Sequence, residues 1–377
     1  MSQQQSSPAE LLARLIQHRT TNPGGDEPGL CRALGAMLAE RGAEDVAVEL
    51  VPRPDGDGTG AYVYARFGAA PPRLLLNAHI DTVPINRGWT RDPFGGESEG
   101  GNLYGLGSAD TKGAVAAALC ALERERPDGM AFLFSGDEEH GASCMRAFLL
   151  SPRAAGIERA LVSEPTSRRA VVRHRGVAAA RVEVTCVGGH SSRADSMPRP
   201  MVALARLAVE LDELARRWID RGPPDMTGLC MNIAGFEGGV AFNVVPDRAA
   251  MTFSYRPPPG CDRIELDRDL TQAVARAALE EGPAVRITHI MDRGAFGTAN
   301  AEAFRPLLGD QLMDAAGTLD FWTEAAVLAE VGIDAVVIGP GDVAQAHAAD
   351  EHVAIADLEW ATEVYTEVFR RTRAQSS

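Results

Sequence analysis

Residues 130–141 read MAFLFSGDEEHG. Met130 to Phe134 form an apolar run of strand length, and Ser135-Gly136 breaks it. Three acids, Asp137, Glu138 and Glu139, therefore stand at the carboxyl end of a buried strand. The ordinary reading of such a triplet is structural: an aspartate caps a new helix and two glutamates favour its positive end. The other reading is chemical, because in a parallel α/β sheet ligands gather outside the carboxyl ends of the strands. The rest of the chain decides between them.

Outward from this stretch the pattern alternates. Helices are predicted over Ala9 to His18 and Gly29 to Arg41, then strands over Val46 to Val51, Ala61 to Phe67 and Arg73 to Ala78. After a long loop rich in Gly and Pro come a helix (Gly113 to Arg124), the strand already described, a helix (Ala142 to Leu150) and a strand (Arg159 to Val162). Apolar strands alternating with helices imply an α/β fold with a mainly parallel sheet covered on both faces. Past Arg175-Gly176 the order becomes βαββαβ: strand Ala178 to Val187, helix Pro200 to Arg217, strands Leu229 to Ala234 and Arg248 to Tyr255, helix Asp267 to Glu281, strand Val285 to Ile290. That is a ferredoxin-like two-layer unit. The α/β pattern then resumes with helix Thr323 to Val331, strand Ala335 to Ile338 and a last helix from Asp357 to Arg370. We expect a catalytic domain in two parts, 1–176 and 293–377, with an inserted domain at 177–292.

A chain of 377 residues, 45% hydrophobic and 24% charged, suits a soluble two-domain protein. Its net charge of −15 argues against nucleic acid or an anionic membrane as partner. No export signal or membrane-length apolar run is visible, so a cytoplasmic location is expected. Cys31, Cys120, Cys144, Cys186, Cys230 and Cys261 are scattered without a C-x-x-C pair, and are expected to be small buried hydrophobes.

Other strand ends of the larger domain also carry metal-ligand residue types. LLLNAHID places His79 and Asp81 two apart, on one side of an extended chain. A histidine so placed can bind a metal while the aspartate fixes its ring. GLGSADTKG brings Asp110 just ahead of a helix, LVSEPT brings Glu164, and GPGDVAQAHAADE brings His347. Singly these are caps and solvated groups. Together, two histidines and several carboxylates at one sheet edge indicate a metal centre. GESEG (96–100) matches a nucleophile elbow but lacks the preceding strand. GLGSAD opens like a dinucleotide fingerprint, but Asp110 stands where the third glycine belongs.

HID, DPFGG, LYGLGSADTKG, GDEEHG, SEPT, RGV, GGHSS, NVVPD, YRPPPG and GPGDVAQAHAADE occur in the order in which they occur in the M20 metallopeptidases and deacylases. The chain resembles that family over nearly its whole length, and with FWTEA (321–325) it is most similar to the acetylornithine deacetylase branch. The resemblance implies a catalytic domain of zinc-exopeptidase type with the insert as a lid and dimerisation domain. It implies two divalent ions, zinc or cobalt with manganese as an alternative, bridged by Asp110. His79 and Glu164 would complete one ion's site, Glu139 and His347 the other's. Glu138 would be the general base, Asp81 would orient His79, and the Asp110–Thr111 peptide would be cis. His190 would reach a neighbouring active site across a homodimer and stabilise the oxyanion. Arg256, and after it Asn243 and Arg175, would hold the substrate. The implied reaction converts N-acetyl-L-ornithine to L-ornithine and acetate, within arginine biosynthesis. The alternatives are a desuccinylase, an acetylcitrulline or acetyl-lysine deacetylase, an aminoacyl peptidase, or a binding protein that has lost catalysis.

Overall fold

The strand Met130–Ser135 is buried along all six residues. A computed structural model, describing residues 6–53, 56, 58–277 and 284–376, pairs it with Leu74–His79 in parallel register, His79 opposite Ser135. Leu74–His79 pairs in turn with Arg159–Val162, and that strand with Asp334–Val337, again in parallel. These four strands are the parallel heart of the sheet, and their carboxyl ends lie along one edge. Thr59–Phe67 and Asp45–Pro52 extend the sheet antiparallel on one side. Strands buried on both faces read as continuous apolar runs. The adjoining helix Gly113–Arg124 is Ala-rich and buried from Gly113 to Leu122, and it packs on the carboxyl-terminal helix Ile355–Ser376.

Two compact units result, one of residues 1–172, 298–317 and 323–377, the other of 173–297 and 318–322. In the second unit the sheet order is Cys230–Gly238, Arg248–Arg256, Val177–Thr185, Ala284–Arg293, antiparallel throughout. Its central strand Val177–Thr185 alternates between buried and half-buried residues, as a sheet covered on one face requires. Ala178, Ala180, Val182 and Val184 form its core with Leu204, Leu207, Leu211 and Leu214 of the helix Pro200–Arg217.

Of the helices that start before the positions expected, two have a capping aspartate as the reason. Asp26 accepts from the Gly29 N–H and opens the second helix at Glu27, and Asp262 accepts from Ile264 and Glu265 and opens Arg263–Arg276. In both, a capping aspartate outweighs the apolar periodicity. The end of the expected helix at Glu281 lies outside the described residues. The cysteine expectation is corrected in part. Cys31, Cys120 and Cys144 are buried, but Cys186 and Cys261 are half-buried and Cys230 is exposed. Cys230 opens a strand at the edge of the second unit's sheet, where little covers it.

Candidate metal centre

Four segments converge at the carboxyl edge of the parallel strands. His79 ends Leu74–His79, Glu138 and Glu139 follow Met130–Ser135, Glu164 follows Arg159–Val162, and His347 lies in the loop after Asp334–Val337. Asp110 comes from an irregular helical turn, Ser108–Lys112, and its peptide bond to Thr111 is cis. Asp110 Oδ1 lies 2.8 Å from His79 Nε2, and Oδ2 lies 3.3 Å from His347 Nε2. One carboxylate thus divides its two oxygens between two imidazoles. His347 Nε2 is also 2.8 Å from Glu139 Oε1, and His79 Nε2 is 4.0 Å from Glu164 Oε2. Ligand atoms of His79, Asp110 and Glu139 lie within 4.8 Å of one another.

A surrounding shell of hydrogen bonds fixes these groups. The Asp81 carboxylate accepts from the backbone N–H of Glu138 and of Glu139, both at 3.1 Å, and from Asn22 Nδ2 at 2.5 Å. His79 Nδ1 faces the Asp81 carbonyl at 3.0 Å and its carboxylate at 3.5 Å. Asp81 therefore turns the His79 ring and holds the glutamate pair. Asp137, at φ 66°, takes the structural role: its Oδ2 accepts from the Ser143 N–H at the start of the helix Ser143–Leu149. The opening triplet thus divides: Asp137 bonds the first N–H of the next helix, whose N-cap is Ala142, and the two glutamates stand beside His79 and His347.

Several residues of this shell were not singled out in the sequence. Glu351 is buried, and its carboxylate accepts from the N–H groups of Gly107, Ala109 and Asp110, at 3.0, 3.0 and 3.2 Å. It fixes the turn that presents Asp110. Its presence in the AHAADE stretch was the available signal. Asn22, Glu27 and Arg53 are also buried, in segments that read as loop or helix start.

The electrostatics suit a cation. Burial pushes the Glu164 carboxyl well up, with Asp110, Glu138 and Glu139 adding to the effect and His79 opposing it. Burial likewise raises Glu139 against the pull of His347. Although burial opposes a charge on His79, its bonds to Asp110 and Asp81 raise it well above the usual imidazole range, and bonds to Asp110 and Glu139 raise His347 to about 11. Crowded acids that share protons with two imidazoles form a site in which divalent ions can replace those protons. A donor set of imidazole and carboxylate fits zinc and its neighbours in the transition series.

Glu324, of the FWTEA stretch, is buried at the head of the helix Ala325–Glu330. Its Oε2 accepts from Asn77 Nδ2 at 3.0 Å and from Ser135 Oγ at 2.6 Å. Burial pushes it up to about 7 from the ordinary 4.5, against those two bonds. The folded chain therefore holds a proton that the unfolded chain releases. This contribution to stability is complete below pH 4.5 and is lost as the pH rises through about 7. Relative to the parent chain, Glu324→Gln gains on the order of 2–3 kcal/mol between pH 5 and 8, read by denaturant unfolding of the metal-free protein. A difference that does not change with pH would contradict it.

In the second unit the structure joins His190 to the Asn243 segment. His190 pairs with Val244, the Ser191 N–H donates to the Asn243 carbonyl at 3.0 Å, and His190 Nδ1 lies 2.8 Å from Ser192 Oγ. Arg256 ends the strand Arg248–Arg256, half-buried. Arg175 differs from these. Its guanidinium donates to the carbonyls of Gly228 and Thr227, at 2.6 and 2.7 Å, and faces Asp320 at 3.5 Å. That holds the 227–228 turn in place.

The family model of peptidase family M20/M25/M40 matches residues 75–371, a span that includes His79, Asp110, Glu138, Glu139, Glu164 and His347. The chain belongs to this family. M20 enzymes are metal-dependent amidohydrolases, among them deacetylases, desuccinylases and peptidases. The chain is 33% identical over 370 residues to an N-acetyl-L-citrulline deacetylase of Xanthomonas campestris, covering 94% of this chain and 95% of that one. It is 32% identical to the acetylornithine deacetylase of Myxococcus xanthus, with 85% and 83% covered, and 29% identical to a succinyl-diaminopimelate desuccinylase of Stenotrophomonas maltophilia, with 97% and 99% covered. The fold matches an M20 family metallo-carboxypeptidase from Sulfolobus solfataricus at a TM-score of 0.76 and 17% identity, covering 97% and 99% of the two chains. A dinuclear metal binding M20 peptidase from Bacillus subtilis matches at 0.69 and 14%, with 98% of each chain covered. Among the described residues no helix is long and apolar enough to cross a membrane.

Proposed function

We propose that the chain hydrolyses the amide of an N-acetyl amino acid, with N-acetyl-L-ornithine as the leading substrate and N-acetyl-L-citrulline beside it. One observation carries the reading: Asp110 divides its carboxylate between His79 and His347, next to a glutamate, Glu138, whose backbone is fixed by Asp81. In this reading His79 and Glu164 would hold one divalent ion, Glu139 and His347 a second, and Asp110 would contribute to both. Zinc or cobalt there would lower the pKa of water and polarise the amide carbonyl. Glu138 takes the proton from the attacking water and later delivers it to the departing amine nitrogen, where a carboxylate beside the ligands is suitably placed. Asp81 keeps the His79 ring in one orientation throughout. His190, on the short antiparallel ladder it forms with Val244 beside Asn243, is assigned the oxyanion that develops on the carbonyl oxygen, supplied across a homodimer formed through the second unit. Arg256 is assigned the α-carboxylate, which a guanidinium matches in bidentate fashion. The carbonyl contacts of Arg175 favour a supporting role for it.

The acetyl preference is supported by the acetylcitrulline and acetylornithine deacetylases among the relatives. The length-wide match to a desuccinylase supports a second reading, N-succinyl-diaminopimelate. Comparing kcat/KM for N-acetyl-ornithine, N-acetyl-citrulline and N-succinyl-diaminopimelate on metal-loaded protein separates them. We expect either acetyl substrate to exceed the succinyl one by at least about tenfold, a free-energy difference near 1.4 kcal/mol. Faster cleavage of the succinyl amide would move the assignment to the second reading.

A further inference from the structure

The Asp137–Glu139 tripeptide is anchored by a buried charged cluster of Arg53, Glu27 and Asp137. Arg53, just beyond the strand Asp45–Pro52, has a side chain only 2% exposed, and those of Glu27 and Asp137 are 0% and 1% exposed. Arg53 Nη2 donates to Glu27 Oε1 at 2.5 Å and to Asn22 Oδ1 of the side-chain amide, and Arg53 Nε lies 3.0 Å from Asp137 Oδ1. The other oxygen of Glu27 accepts from the Ala61 N–H at 3.1 Å. It lies so close to Gly136 that a Cβ built there would meet it at 2.0 Å. This explains the glycine in SGDEE: any side chain would push Glu27 away from the backbone that leads into the tripeptide. From Asn22 the network continues. Asn22 Nδ2 donates to Asp81, and Asp81 accepts from the N–H groups of Glu138 and Glu139. One guanidinium is thus linked to both ends of the tripeptide, directly through Asp137 and indirectly through Asn22 and Asp81.

We propose that Arg53 is a positioning residue for the reaction, its guanidinium gathering Glu27, Asn22 and Asp137 so that Glu138 and Glu139 stand where the chemistry needs them. The inference rests on Glu138 acting as the base. A lysine has no separate Nε and Nη2 to reach Asp137 from one and Glu27 and Asn22 from the other, so lysine at this position keeps the charge and loses the geometry. Misplacing a catalytic group by even an ångström costs orders of magnitude in rate.

Arg53→Lys and Asn22→Ala, loaded with cobalt(II), are compared with the parent chain and with Glu138→Gln for metal content, kcat, KM and the visible cobalt spectrum. We expect full metal content, an unchanged KM and a kcat lower by about 10- to 100-fold in both variants. The cobalt bands should shift, because Glu139 moves with Glu138. Asn22→Ala leaves the Arg53 contacts with Glu27 and Asp137 in place, and it carries the test if Arg53→Lys does not fold. Two results overturn the inference: an unchanged kcat per metal-loaded chain, or a loss of activity only in proportion to unfolded or metal-free protein. If Glu138→Gln itself turns over at the parent rate, the base assignment fails instead of the Arg53 inference.

Discussion

With Glu138 replaced by Gln, kcat falls by about 10²- to 10⁴-fold while metal content stays at the parent level. Glutamine keeps the shape of the side chain and the backbone N–H that donates to Asp81 Oδ1 at 3.1 Å, so the loop should hold its place. What disappears is the carboxylate that accepts a proton from water and returns it to the amine. The neighbouring acids cannot replace it. Asp110 divides its oxygens between His79 and His347, Glu139 is bound to His347, and Asp137 is engaged with Arg53 and Ser143. Kinetics on the acetyl substrates and metal analysis of the same sample check this. If metal is lost together with activity, Glu138 is a ligand and the division of labour between it and Glu139 is wrong.

Much of this placement could be read from the sequence, for a physical reason. Residues that end buried strands are confined to one edge of a parallel sheet, so His79, Glu138, Glu139 and Glu164 could be placed together from apolar runs alone. Asp110 and His347 sit in loops, and residue type and family resemblance pointed to them where periodicity could not. A change of element order, from alternating strands and helices to βαββαβ past Arg175-Gly176, was the sign of a second unit in the sequence. The supporting shell was hidden. Arg53 stands in PRPDGDG, a string that reads as a solvated turn, yet its guanidinium is buried between two acids that are 26 residues before it and 84 after it. Such a pairing depends on long-range topology, which local patterns do not encode. For Arg175 the resemblance implied a substrate contact, and the bonds of its guanidinium to the carbonyls of Thr227 and Gly228 had no sign in the sequence.

Removing the metal should be the most damaging change of all. Without ions, Asp110 and Glu139 share protons with His79 and His347, which is the wrong charge state for polarising an amide and for activating water. The missing Lewis acid amounts to several kcal/mol of barrier, at least about 10³-fold in rate. The measurement that tests the account most directly is therefore hydrolysis of N-acetyl-ornithine and N-acetyl-citrulline by chelator-stripped protein during stepwise return of zinc or cobalt. The account predicts no turnover after stripping, and recovery that follows ion binding up to two ions per chain. Turnover that persists in protein shown to be metal-free would contradict it.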